Sequence, residues 1–451
     1  MQKRQKEIDM TSGVIWKQLL LFALPLLAGN VFQQFYNTVD SIVVGNYVGK
    51  EALAAVGSVG PIINSLIGFF MGLSTGAGVV ISQAYGAKNS GRVSRAVHTT
   101  LTMTFLLCIV FTAAGIAMTP PMLRMMGTPE DVFPEAAEYL KIYFAGVSGL
   151  MVYNMGAGIL RAVGDSKRPL YFLIFSACTN TVLDVVCVAY WRMGIAGAAL
   201  ATVVSQLLSA VLVMLVLMRS EGAYRVRFRA LRLHMDMLRE IVRIGFPAAV
   251  QMMITSISNV FVQSYINAFG SSVMAGWSAY TKIDQFILLP MQSVALSVTT
   301  FVGQNYGARQ VDRIKKGTWT AIRMAFLLTV ILMLPVLGFA GELVALFNNE
   351  SEVIRYGSYL LRLMSPFYLV CAINQIYSSS LRGLGNTRAP MLIMLGAFVV
   401  FRQVYLFLAS RLVGTLQVVA FGYPAGWIVC SVTLLVYYRW YWRKKERLGH
   451  L

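Results

Sequence analysis

Charge is scarce in this chain. Of its 451 residues only 13% are Asp, Glu, Lys or Arg, about half the roughly one-quarter share of a soluble domain. A water-covered globular surface is therefore excluded. Acids are the scarcer sign, 19 against 38 basic residues. Histidine is nearly absent. His98, His234 and His450 stand at the edges of apolar runs or in basic segments, so no histidine ligand set is expected. There is no HExxH and no Ser/His/Asp order, which argues against a membrane-embedded enzyme. The five cysteines (Cys108, Cys178, Cys187, Cys371 and Cys430) occur singly, without CxxC or Cys/His spacing. Neither disulfides, nor a metal cluster, nor any cofactor is expected.

What is abundant is apolar sequence: 57% of residues are hydrophobic. Twelve apolar segments can be read, at 16–43, 52–82, 93–118, 136–160, 169–190, 194–218, 241–268, 274–302, 317–340, 356–381, 389–410 and 416–438. Each can form a tilted helix across a hydrocarbon core of about 30 Å. The expected fold is an all-α polytopic membrane protein of twelve transmembrane helices. The first run is too long for a signal-peptide core, so no cleaved signal is expected.

The net charge of +19 could suggest nucleic acid, but its distribution does not. Basic residues cluster in alternate connections, such as Lys88, Arg92 and Arg95, then Arg225, Arg227, Arg229 and Arg232, then Arg443, Lys444 and Lys445. The other connections carry Glu130, Asp131, Glu135, Glu342, Glu350 and Glu352. By the positive-inside rule both termini are cytoplasmic, in a plasma (inner) membrane. The basic clusters read as topology signals and contacts to anionic lipids. No nucleic-acid partner is expected.

The chain is duplicated. Gln83-Ala-Tyr85-Gly86-Ala87-Lys88 stands 221 residues before Gln304-Asn-Tyr306-Gly307-Ala308-Arg309. Leu160-Arg161-Ala-Val-Gly164-Asp-Ser-Lys-Arg-Pro169 keeps the same offset to Leu381-Arg382-Gly-Leu-Gly385-Asn-Thr-Arg-Ala-Pro390. Pro25 and Pro247 match within one residue of it. Six spans per half give two parallel six-helix lobes related by a pseudo-two-fold axis along the membrane normal, with a solute site expected between them. The expected divisions are an amino-terminal lobe at 1–218, a basic inter-lobe linker at 219–240, a carboxy-terminal lobe at 241–438 and a basic tail at 439–451. The repeated motifs read either as turn chemistry at helix ends or as a cytoplasmic gate latch. The string Gly72-Leu-Ser-Thr-Gly76-Ala-Gly78 lacks a phosphate loop's Lys-Ser/Thr ending and preceding strand, so it predicts close helix packing.

The costliest residue is Asp40, well inside the first apolar run, where a charge costs roughly 3 kcal/mol or more. Asn30, Gln33, Asn37 and Asp40 recur at spacings of 3, 4 and 3, one helix face. That stripe predicts a solute pathway, with Asp40 as a proton or cation site. The second half has a counterpart in Gln251, Thr255, Ser258 or Asn259, and Gln263, without an acid at the Asp40 position. Candidate cavity residues are Asn30, Gln33, Gln34, Tyr36, Asn37, Gln251, Met252, Thr255, Asn259, Asp284 and Met291. Met253 and Phe286 are further picks. Asp284 is read either as a site for a cationic solute or as a partner of Arg402. Pro25 and Pro247 are candidate hinges.

Taken together, the twelve runs, the duplication, both prolines and both pairs of motifs resemble the multidrug and toxic compound extrusion (MATE) family. The resemblance covers essentially the whole chain. It implies two lobes, alternating access, and export of organic, often cationic, compounds against inward H+ or Na+. Asp40 matches the family's first-span coupling carboxylate. Asn180 and Asp184 match its fifth-span pair, and Thr202 falls where members place a hydroxyl. Thr255 and Cys371 stand where the NorM-type branch has carboxylates, so the chain is closer to the MepA-like and DinF-like branches.

Asn180 and Asp184 are four apart and share a helix face. Two carboxylates in one low-dielectric pocket cannot both ionise cheaply, so Asp40 and Asp184 can pass a proton. With the oxygens of Asn180 and Thr202 they also suit Na+. The residues leave both open, and proton coupling is the reading carried forward, with Na+-coupled or dual antiport as the alternative. A lipid-linked glycan flippase of related architecture is disfavoured by an acidic, amide-rich stripe where a basic trough is expected. The expected state is monomeric.

Overall fold

The computed structural model describes residues 7–48 and 50–447, with side chains described except at 36–46, 50–54 and 260. Every regular element among them is helical. In order these are α1 (Ile15–Tyr47), α2 (Lys50–Gly86), α3 (Ser90–Met125), α4 (Phe133–Ala145), α5 (Val147–Ala162), α6 (Lys167–Asp184) and α7 (Gly194–Arg219). The second half has α8 (Met235–Asn267), α9 (Ser271–Gly307), α10 (Val311–Gly338), α11 (Ala340–Ala345), α12 (Ser351–Met364), α13 (Tyr368–Gly383), α14 (Arg388–Leu395), α15 (Arg402–Leu412), α16 (Leu416–Ala420) and α17 (Gly422–Arg447). A helix keeps its backbone hydrogen bonds internal, which lipid requires. Hydroxyls follow the same rule: Thr100, Thr104 and Thr119 each donate to the carbonyl four residues back.

Among the described residues ten helices are long and apolar enough to cross a membrane, and eleven spans result when the bent pair α4 and α5 is counted as one. The repeat accounts for the twelfth: α5 at Val147–Ala162 maps, at the 221-residue offset, onto α13 at Tyr368–Gly383. The pair α12 and α13 is interrupted at Ser365–Phe367 and carries Asn374, Gln375, Ser378, Ser379 and Ser380, which lower its apolar character.

The repeated motifs are helix stops. Asn89 N–H bonds Ala84 O and Gln310 N–H bonds Asn305 O, while Asp165 N–H bonds Leu160 O and Asn386 N–H bonds Leu381 O. These backward bonds satisfy carbonyls that a helix end leaves open. Gly164 and Gly385 supply positive φ, +95° and +81°, and Lys88 and Arg309 adopt it at +54° and +58° without being glycine. The Gly72 string does pack closely: a Cβ on Gly76 would lie 2.3 Å from Gly245 Cα.

The chain divides into two compact units, Met1–Asp9 with Pro25–Ala249, and Met10–Leu24 with Val250–Leu451. The division does not fall in the expected linker at 219–240. That stretch is held by the first unit. Tyr224 donates to Glu7, Arg227 N–H to His98 Nε2, and Arg92 and Arg95 pair with Glu240 and Asp236. The breaks fall inside α1 and α8 instead, at Pro25 and two residues beyond Pro247.

The approach to α1 is anchored by motif side chains. In the first unit Glu7 accepts from Tyr85 and Tyr224. In the second unit Gln304 accepts from Met10 N–H, Asn305 donates to Met10 O, and the Arg313 guanidinium donates to Met10, Ser12 and Gly13 carbonyls and to Gln18. The motifs are thus turns whose side chains also hold the entering chain.

Candidate functional site

The first unit builds a polar cluster where α6 ends. Asp184 is fully buried, Asn180 is 1% exposed and Thr202 4%. A four-residue spacing on α6 sets Asn180 and Asp184 one turn apart. With the Asn180 amide oriented so that both its atoms are satisfied, its nitrogen donates to Asp184 Oδ2 at 2.9 Å and its oxygen accepts from Thr202 N–H at 3.2 Å. Thr202 Oγ1 lies 3.5 Å from the same amide. Ser176 and Ser209 hydroxyls cross-link α6 and α7 through the Ser205 and Phe172 carbonyls. Directly after Asp184 the backbone widens into a π turn, Val185–Tyr190, a form that concentrates at functional sites.

Three of the four expected coupling residues therefore meet. Asp40 lies on α1, whose backbone is helical there, but its side chain falls outside the described residues, as do those of Tyr36 and Asn37. Asn30 and Gln34 are half-buried and Gln33 is exposed. Pro25 and Pro247 both sit inside unbroken helices.

In the second unit the amide stripe on α8 is occupied by arginines. Gln251, 3% exposed, accepts from Arg382 at 3.0 Å and donates to Met394 Sδ at 3.0 Å. Thr255 turns back on Gln251 O at 2.7 Å. Asn259 is exposed and accepts from Arg402 at 2.9 Å. Met252 and Met253 are half-buried, Met291 is buried and Phe286 exposed. Gln263 bonds Asn267.

Asp284 does not pair with Arg402. Its carboxylate accepts from Tyr280 Oη at 3.5 Å, and the fully buried Tyr368 stands nearby. Lys282, two residues earlier, points elsewhere, over the Phe347 ring at 5.4 Å. Asn374, one turn beyond Cys371 on α13, is 1% exposed, and neither of its side-chain atoms has a hydrogen-bond partner. Tyr280, Tyr368 and Asn374 were not legible as site residues. A buried tyrosine or asparagine in an apolar run gives no sign of whether it faces a neighbour or a polar pocket.

At the basic end of the first unit Asp165 caps α6. Its Oδ1 accepts the Lys167 and Arg168 N–H groups, and its Oδ2 pairs with Arg168 Nε at 3.2 Å. Burial nevertheless pushes the Asp165 carboxyl above its ordinary value, against the opposing pull of Arg168.

Comparison with known proteins places this geometry. The MatE family model matches residues 25–186 and again 247–408, so the duplication is a duplicated family unit. A "probable multidrug resistance protein YoeA" of Bacillus subtilis is 32% identical over 96% of this chain and 95% of its own length. The "probable multidrug resistance protein YpnP" of the same organism is 30% identical over 96% and 97%. Among solved structures, the outward-facing conformation of a multidrug resistance MATE family transporter of the MOP superfamily superposes with a TM-score of 0.92. That likeness covers 99% of this chain and 100% of the other at 23% identity, and it is one of fold.

Proposed function

The chain belongs to the MatE family of multi-span multidrug efflux transporters, and from that premise we propose that it exports small organic, often cationic, compounds by alternating access coupled to inward H+. The observation that supports the proton is the Asn180–Asp184–Thr202 cluster. An acid with no exposed surface is a strong liability in an apolar medium unless its charge is used or neutralised. Asn180 bridges it to α7, so a change of charge at Asp184 changes what Asn180 must satisfy and can be felt by both helices. Asp40, on the helix that carries Pro25, completes the exchange. The ionised pair attracts an organic cation and the protonated pair releases it, which gives antiport its rule of one cargo at a time.

Na+ is the second reading, because the donors at the cluster are hard oxygens. A monomer in the plasma membrane, with both termini in the cytoplasm and basic clusters against anionic lipid, completes the proposal. The test is efflux of ethidium from proteoliposomes with a pH gradient or a Na+ gradient imposed separately. Efflux that follows the pH gradient alone is expected. Efflux that responds only to Na+ refutes the proton.

A further inference from the structure

The second unit holds a buried guanidinium without an acid. Arg402 opens α15 directly after a π turn at Gly396–Phe401 and is 3% exposed. Its Nη2 donates to Ser258 Oγ at 2.8 Å and Asn259 Oδ1 at 2.9 Å on α8. Its guanidinium carbon lies over the Tyr423 ring, 4.7 Å from the centroid. Its Nε is buried with no hydrogen-bond partner. Among the described residues no carboxylate lies within ion-pair distance of it.

Holding α15 to α8 requires one donating nitrogen, which a neutral glutamine supplies. It does not require a full positive charge, a flat fork over an aromatic ring, or a second donor left unused. An unpaired buried charge is unfavourable and in a membrane span marks function by default. A planar fork with a spare N–H matches a carboxylate. Tyr423 in turn packs near Trp277 and Trp427, with ring centroids at 5.7 and 6.1 Å, so the charge sits at the edge of an aromatic wall. The neighbouring Asn259 is exposed and leaves a side of approach. Arg402 lies near the middle of the stretch from Arg388 to Leu412, beyond the depth of lipid headgroups.

We propose that Arg402 and Tyr423 form a subsite for the carboxylate of an aromatic solute. The inference deepens the export reading by naming a cargo group for the second unit. Its test is one of binding, so the two readings fail separately.

The probe is fluorescein, an aromatic carboxylate, with ethidium as the aromatic cation. Both are titrated by fluorescence anisotropy into the full chain in phosphatidylcholine nanodiscs. Saturable fluorescein binding is expected, displaced by benzoate. Arg402→Gln, which keeps a donor for Ser258, weakens fluorescein by about tenfold or more and leaves ethidium within about twofold. Arg402→Lys gives an intermediate loss. Failure of the wild type to bind fluorescein, equal affinity in Arg402→Gln, or no displacement by benzoate overturns the subsite. Should Arg402→Gln not yield monodisperse protein, Tyr423→Leu replaces it, with a loss of about threefold or more for fluorescein alone, and unchanged affinity there refutes the proposal. Intact, Arg402-dependent fluorescein binding in a protein that exports neither dye leaves the subsite standing and removes the export reading.

Discussion

Asp184→Asn separates charge from shape at the coupling cluster. The substitution is isosteric, and the new amide oxygen can take the place of Oδ2, so Asn180 keeps an acceptor at about the same 2.9 Å. What is lost is charge assistance. A hydrogen bond to a charged group contributes about 1.5–3 kcal/mol and a neutral one about 0.5–1.5, a difference near 1 kcal/mol. Removing a buried carboxylate offsets part of this. The net change in stability is therefore within about 1 kcal/mol, or a shift of about 1–2 °C in Tm for a chain of this length. Function changes far more. Allosteric coupling between two ligands is typically about 1–3 kcal/mol, about 5–150-fold in affinity. Wild-type protein in nanodiscs should bind ethidium more weakly at pH 6 than at pH 8 by a factor in that range. In Asp184→Asn the ratio should collapse toward one, and pH-driven efflux from proteoliposomes should stop. Efflux at the wild-type rate from Asp184→Asn would refute the assignment. A fall in Tm beyond 10 °C, against the few degrees expected, would instead make the residue structural.

Three further outcomes follow from the geometry. Asp165 has its carboxyl raised by burial, so ionisation is disfavoured in the fold, and its contribution to stability declines as pH rises from the unfolded carboxylate's range through the folded value. Asp165→Asn keeps the cap on Lys167 and Arg168, so its Tm relative to wild type should improve between pH 4.5 and 7.5, on the order of 1 kcal/mol or less; an unchanged difference contradicts the burial argument. Gly76→Val puts branched carbon where a Cβ already meets Gly245 Cα at 2.3 Å, and the backbones cannot part without opening the pair; loss of monodisperse protein on gel filtration is expected, while Gly57→Ala, with nothing within 4 Å of its Cβ, should be silent. Arg313→Ala removes the donors to three carbonyls and Gln18 and should lower stability by about 1–3 kcal/mol, read as earlier proteolysis near residues 7–13; unaltered cleavage would show that strap to be held by other means.

Much of the architecture was legible because membrane folds write themselves in long apolar runs. The duplication was legible because its motifs end helices, and helix ends need particular backbone chemistry at particular positions. Asn180, Asp184 and Thr202 entered through the resemblance to the family; what the residues themselves add is the four-residue spacing that puts Asn180 and Asp184 on one face of α6. The limits are equally physical. The break between the units was expected at the most polar connection, but polarity marks exposure and says nothing of which neighbours a segment holds. The α8 stripe read as an open cavity wall, yet Gln251 is enclosed and engaged by Arg382, a residue 131 positions away. Period and spacing report a face, not its occupant. Asp284 and Arg402 illustrate the same gap, since opposite charges in the spans of one unit need not meet: Asp284 accepts from a tyrosine, and Arg402 donates to a serine and an amide.

The breaks at Pro25 and beyond Pro247 have a corollary. The leading part of α1 is compact with the second unit, and the leading part of α8 with the first. Each gene half thus encodes a segment that completes the other. Cut in the polar connection at 219–240, neither half would carry the whole of one compact unit.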